Sequence, residues 1–320
     1  MRNELARRET TAAEVHKLEE SAREFIGAAK AENTNRAYRS DWSDFTAWCD
    51  SHSVTALPAA PDTVALYITD RAATLKASTI QRRIVAISQA HQAANLDTPT
   101  SSAIVKTVWR GIRRTLGTAS TQKAAATVDV VRAMVNTLPA TVAGCRDRAI
   151  LLLGFAGAFR RSELVALDMD DLNFHSDGVT VTIRKSKTDQ EGEGRQVGIP
   201  YGRNVHTCPV RALVAWIEEL SETTGPVFRA VTCRGNIAAA RLSDRSVALT
   251  VKKAAKAAGY DPAGFAGHSL RSGLATSAAA AGVAERDIMA QTGHTSERMV
   301  RRYIRAGSLY RHNAAAAVGL

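Results

Sequence analysis

Seven side chains in this 320-residue chain are of types that can act together on a phosphate ester. Arg160 and, three positions on, Glu163 follow a strongly apolar run. Lys187 lies in the stretch KSKTDQEGEG. His268 and Arg271 form an H-x-x-R, His294 follows a glycine in QTGHTS, and Tyr303 comes nine positions after His294 in an arginine-rich run. Guanidiniums present planar forks of donors that stay charged, so a pair of them suits an anionic phosphorus centre. Imidazoles exchange protons near neutrality, an ammonium can give one up, and a phenol oxygen is a nucleophile. Singly, each residue has an ordinary reading. H-x-x-R is frequent by chance, Lys187 reads as a solvated loop lysine, and Tyr303 reads as a half-buried helix residue. Arg298, Arg301, Arg302 and Arg305 read equally as an exposed face. Weight comes from the joint order: R-x-x-E, K in a hairpin, H-x-x-R, G-H, then Y.

These residues need elements to hold them. The charged tail of residues 1–19 leads into a helix gathering toward residue 30. Asn33 or Thr34 can cap the next helix, where Tyr38, Trp42, Phe45 and Cys49 form an amphipathic stripe. A third helix is expected over 62–74 and a fourth from a Ser78 cap, with Ile80, Ile84, Ile87 and His91 on one face and Arg82 and Arg83 elsewhere. In SSAIVKTVWRGIRRTLG, Val105, Trp109, Ile112 and Leu116 make an apolar face. Lys106, Arg110, Arg113 and Arg114 make a basic one, a candidate for phosphate contact beside Arg82 and Arg83. GTASTQKAAA, residues 117–126, has no periodicity and reads as a linker. The expected organisation is a tail (1–19), a helical domain (20–116), a linker (117–126) and a second domain (127–320). In the last, Val179, Val181 and Ile183 alternate with Thr180 and Thr182. The return through Val197 and Ile199 predicts a β-hairpin with Lys187 in its loop. The rest, from residue 209 on, reads as helical: 209–220, 243–258, 269–281, 285–291 and about 296–305. The fold class is mainly α with a small sheet in the second domain.

With GAFRRSEL, GHSLRSG, QTGHTS and Tyr303 in this order, the chain resembles the tyrosine site-specific recombinases, the phage-integrase family. Its likeness is greatest to the short, two-domain Cre-like type. The resemblance implies an all-α core-binding domain followed by a mixed α+β catalytic domain. It implies Arg160 and Arg271 as the phosphate clamp, although Arg161 competes with Arg160 because it stands where an apolar residue is expected. His268 is implied as base or phosphate donor, Lys187 as general acid, His294 as a phosphate partner, Glu163 as a supporting group and Tyr303 as the nucleophile. The reaction implied is cleavage and rejoining of duplex DNA through a 3′-phosphotyrosine and a Holliday junction. It needs no cofactor, metal or nucleoside triphosphate, and uses a homotetramer on two duplexes.

Bulk properties agree with a nucleic-acid partner. Net charge is +11, and the sequence pI of about 9.8 is an electrostatic footprint of a polyanion. Cys49, Cys145, Cys208 and Cys233 are dispersed, which argues against a structural zinc site and fits reduced thiols. No apolar signal region opens the chain, and the apolar run from Ala149 to Phe159 is too short for a bilayer, so a cytoplasmic protein is expected. The stretch ahead of residue 20 is too short for an arm-binding domain, which favours a simple recombinase. Two other readings compete: a type IB topoisomerase-like enzyme relaxing supercoils, and a DNA-binding accessory factor with a degenerate site.

Overall fold

The computed structural model describes residues 14–21, 25, 32–119, 122–186, 189, 192–294, 296, 297, 300, 301 and 303. The chain divides into two compact units between residues 121 and 122. Among the described residues no helix is long and apolar enough to cross a membrane.

Among the described residues the first unit holds, after a helical stretch at 14–21, α1 (Glu32–Ser51), α2 (Pro61–Ala72), α3 (Ala77–Ala93) and α4 (Ala103–Leu116). Proline opens α2, where a missing N–H costs nothing. Phe45, Tyr67, Ile68, Ile80, Ile87 and Val105 form its core. Each large apolar side chain removed from water there contributes about 1.5–3 kcal/mol. On α3 the stripe Ile80, Ile84, Ile87 and His91 is buried as the spacing requires. His91 is tied down: its Nε2 accepts from the Ala59 N–H at 2.9 Å, so its Nδ1–H donates to the Ile87 carbonyl. The caps differ from expectation. Helix α1 begins at Glu32, so Asn33 and Thr34 fall inside its first turn, and α3 begins a residue before Ser78. On α4 the apolar face is narrower than expected, since Leu116 is exposed.

The second unit opens with α5 (Val128–Asn136), the apolar α6 (Val142–Ala156) and the short α7 (Arg161–Ala166). A three-stranded antiparallel sheet follows: β1 (Leu172–Phe174), β2 (Gly178–Ile183) and β3 (Arg195–Pro200), in that order. Val179 faces Ile199 and Val181 faces Val197 across the β2–β3 ladder, so one face is buried. Next come α8 (Pro209–Leu220), β4 (Arg229–Val231), β5 (Ile237–Arg241), α9 (Asp244–Ala257), α10 (Ser269–Ala280) and α11 (Glu285–Thr292). The β4–β5 hairpin lies between residues 220 and 243, a stretch to which the sequence assigned no element. Its strands are short, bulged and rich in alanine, so they carry no legible alternation. The expected linker also ends early. The Ala124 and Ala126 N–H groups donate to the Gly264 and Ser269 carbonyls at 2.7 and 2.9 Å, and Ala126 is fully buried in the second unit. The expected tail helix after 308, and most of the N-terminal tail, lie outside the described residues.

Candidate active site

The site is built on the apolar core of the second unit. Helix α6 ends in a turn where Ala158 takes φ of +49°, and the chain then delivers Arg160 as the residue preceding α7. Glu163, in the first turn of α7, reaches back. Its carboxylate accepts the Arg160 backbone N–H at 2.9 Å and forms an ion pair with the Arg160 guanidinium. This reciprocal contact holds the arginine over the helix start, and Glu163 is almost wholly buried.

Helix α10 supplies the second arginine. Arg271 is 1 % exposed, and its Nη1 donates to the Ala158 carbonyl at 2.8 Å. That bond joins the H-x-x-R helix to the turn carrying Arg160. The Arg271 Nε and Nη2 have no hydrogen-bond partner among the described residues. Burial first, and then Arg160, pushes the Arg271 guanidinium down to about 10, so it remains a cation at neutral pH. Arg161 takes another path. Its side chain lies against Gly267, where a Cβ would sit 1.9 Å from its Cδ, and its guanidinium reaches Asp244 at 3.7 Å. Arg160, paired with Glu163, is therefore the arginine of the buried cluster.

His268 immediately precedes α10. Its Nε2 lies 2.9 Å from the Tyr303 hydroxyl. Tyr303 is helical, 8 % exposed, and packs with Ala275, Ala279, Ile288 and Val300 in a small apolar cluster. Burial, then Arg271, Arg160 and Arg161, hold His268 below its ordinary value. A neutral imidazole beside a phenol is placed to take its proton.

His294 follows α11 through Gly293, which takes φ of +63°. Its ring centroid is 5.8 Å from that of Tyr303. Burial, then Arg271, Arg160, His268 and Arg195, push it down to about 4. Thr292 sets its orientation. The single Thr292 hydroxyl hydrogen goes to the Ile288 carbonyl at 2.6 Å, so its oxygen accepts from His294 Nδ1–H, also at 2.6 Å. The Nε2 of neutral His294 is then an acceptor, and it becomes a donor on protonation.

A third arginine, Arg195, belongs to this cluster and has no part in the sequence pattern. It opens β3, its Nη1 donates to the Gln291 carbonyl at 3.3 Å, and its Nη2 lies 3.6 Å from Glu163 Oε2. One signal was available. Arg195 is in phase with the inward-facing Val197 and Ile199, an unusual place for a charge. Lys187 lies outside the described residues. Glu163 supports Arg160 and approaches Arg195; no bond to His268 accompanies it.

The basic residues of the first unit separate into two groups. Lys106, Arg110, Arg113 and Arg114 are exposed on α4, with no ion-pair or hydrogen-bond partner among the described residues. Arg82 and Arg83, expected beside that face, have carboxylate partners. Arg82 binds Asp41 with two hydrogen bonds at 2.6 and 3.0 Å, and Arg83 pairs with Asp44 and donates to the Tyr67 hydroxyl at 2.8 Å. They carry the cationic side of a partly buried network. The pattern reading also passed over α9, where Arg245, Leu249, Lys252 and Lys256 form an exposed stripe.

Comparison with known proteins gives the family and the fold. Residues 125–308 match the model of the phage integrase family. An integrase/recombinase xerD homolog of Selenomonas ruminantium is 43 % identical over 302 residues, covering 93 % of this chain and 89 % of the relative. A tyrosine recombinase XerC of Bifidobacterium longum subsp. infantis is 26 % identical over 279 residues, covering 81 % and 71 %. Among solved structures, a lambda integrase dimer bound to a COC′ core site superposes with a TM-score of 0.62 at 17 % identity, over 91 % of this chain and 77 % of that one. A lambda integrase tetramer bound to a Holliday junction gives 0.62 at 16 % identity, over 92 % and 78 %. These last likenesses concern the fold.

Proposed function

The chain belongs to the phage integrase family, and from that premise we propose that Tyr303 is the nucleophile of a site-specific DNA recombinase and that Arg160, Arg271, His268 and His294 serve it. The protein is an enzyme that cleaves and rejoins DNA. The observation that carries the residue assignment is the 2.9 Å contact of the Tyr303 hydroxyl with His268 Nε2, in a cluster with the buried Arg271 and the partly buried Arg160 and Arg195.

In this reading the scissile phosphate enters the arginine cluster. The Tyr303 proton passes to His268 Nε2, the phenolate oxygen bonds to phosphorus, and the bond to the 5′-oxygen breaks. The free 5′-hydroxyl takes a proton, for which Lys187 is the candidate acid. Idle donors on Arg271 and the charge of Arg160 stabilise the extra negative charge of the five-coordinate state, where preorganised donors are worth most. His294, protonated as the phosphate arrives, donates to it through Nε2. Rejoining is the same path reversed, with a 5′-hydroxyl of the partner strand attacking the phosphotyrosine. The exposed basic faces of α4 and α9 supply sequence-independent phosphate contacts. The working assembly is a tetramer on two duplexes passing through a Holliday junction.

Trapping tests the assignment. A nicked duplex taken from DNA flanking the gene is incubated with the protein, denatured, and scored for a covalent adduct. The adduct is expected with wild type and Tyr310→Phe and is lost by at least ~10⁴-fold in Tyr303→Phe. Loss in Tyr310→Phe alone would move the nucleophile to that residue. Absence of any adduct on a bound, correct site would return the chain to the accessory-factor reading.

A further inference from the structure

Arg195 is a partly buried cation beside Glu163 and the His294 turn that the reaction above leaves unused. Its side chain is 21 % exposed, and its Nε and Nη2 are shut off from solvent with no hydrogen-bond partner among the described residues. Burying a guanidinium with idle donors is costly, so its retention calls for a reason. Its surroundings supply two. First, Nη2 faces Glu163 Oε2 at 3.6 Å, an ion pair too long for a good hydrogen bond. The same carboxylate is engaged by the Arg160 guanidinium and backbone N–H. Second, the guanidinium fills the space over Gly293. A Cβ there would lie 2.7 Å from Arg195 Nε, and Nη1 holds the Gln291 carbonyl. One side chain thus touches the carboxylate that holds Arg160 and the turn that carries His294. It projects from the strand into which the Lys187 loop returns.

We propose that Arg195 is a positioning residue for the cleavage step: by sharing the charge of Glu163 it frees Arg160 for the scissile phosphate, and by seating the Gly293 turn it places His294. The inference rests on the recombinase reading above. A buried carboxylate with one cation holds that cation tightly, whereas two cations divide its pull. The phosphate then meets an arginine only partly neutralised. Lysine could supply the charge, but not the fork that spans Gln291 and Glu163 together.

The experiment uses the full chain, the nicked duplex and five proteins: wild type, Arg195→Met, Arg195→Lys, Glu163→Gln and Arg195→Met/Glu163→Gln, with Glu163→Gln as the reference for the last. Duplex binding is read by gel shift and adduct formation at saturating DNA. Arg195→Met is expected to bind the duplex within about threefold of wild type while its adduct rate falls about a hundredfold, the scale of a misplaced catalytic group. Arg195→Lys falls about tenfold. In the Glu163→Gln background there is no charge to share, so the further loss on removing Arg195 shrinks to about tenfold, a non-additivity expected only of residues that act on each other. Equal losses in both backgrounds would overturn the charge-sharing. An adduct rate near wild type in Arg195→Met would overturn the proposal, as would parallel loss of binding and cleavage. Should Arg195→Met lack a cooperative melting transition, Arg195→Lys decides: wild-type kinetics from it defeat the inference. A wild type that forms no adduct would count against the recombinase assignment itself, a separate outcome.

Discussion

Each unit contains a cluster of three arginines, and the two clusters differ in what faces them. In the first, Arg71, Arg82 and Arg83 meet Asp41, Asp44 and Asp70, with the Tyr67 hydroxyl between them. Asp44 is held below the usual carboxylate range: burial opposes this, but the Tyr67 and Arg71 hydrogen bonds and the nearby Arg83 outweigh it. In the second, among the described residues, Arg160 and Arg195 face Glu163 and Arg271 lies close by, beside two imidazoles. Charge in the first is matched and spans α1, α2 and α3, so it fastens the helices. Among the described residues, cations outnumber carboxylates in the second, and Nε and Nη2 of both Arg195 and Arg271 have no hydrogen-bond partner. Arginine content alone says nothing about function here; the ratio of cations to carboxylates does.

Substitutions can break that contrast, and the largest effect belongs to the unmatched cluster. Arg271→Ala should lower the adduct rate by about 10³-fold while duplex binding changes little, since its donors act on charge that develops only in the reaction. Comparable loss of binding would make Arg271 a structural residue. Arg83→Met, in the matched cluster, should behave oppositely. It leaves the nearly buried Asp41 and its neighbour Asp44 short of a cation and should cost about 3 kcal/mol of stability. The adduct rate per folded molecule should stay within about threefold of wild type. A cleavage defect without a change in urea midpoint would erase the distinction between the clusters. The exposed α4 arginines form a third category. Arg113→Ala with Arg114→Ala should weaken binding to all duplexes alike and reduce the slope of log K against log salt by about 2. An unchanged slope would remove α4 from the DNA contact.

The smallest effect is a pH dependence. His294 is neutral in the folded chain down to about 4, against an ordinary value near 6.5. Between those values the unfolded chain binds more protons, so stability falls as pH drops from about 6.5 toward about 4. His268 adds in the same direction. The lowered Asp44 and Asp168 lose their contribution only at more acid pH, below the usual carboxylate value. His294→Asn should therefore narrow the gap between urea midpoints at pH 7 and pH 5. An undiminished gap would mean that the histidine is not buried beside these cations.

Much of the site was legible because its residues lie in short, ordered motifs. H-x-x-R on α10, G-H after α11 and R-x-x-E at α7 are each set by a turn or a helix end, and local spacing expresses such features directly. The hairpin was legible from the alternation of Val179, Val181 and Ile183. Strands β4 and β5 were not, because short runs containing Ala238, Ala239 and Ala240 bear no periodicity. The ion pairs of Arg82 and Arg83 were illegible for a different reason. Their partners Asp41 and Asp44 stand on another helix, some forty residues away.

What the sequence by itself determined is the set of chemical groups and their order along the chain, with enough local geometry to propose a nucleophile, a base and a clamp. Tertiary structure alone decided which arginines are neutralised and which remain available. It paired Arg82 and Arg83 with aspartates, turned Arg161 toward Asp244, and brought Arg195 from β3 into the cluster. The physical reason is that a helix or turn specifies neighbours three or four residues apart, whereas the net charge at a buried point is summed over every group that packing brings near.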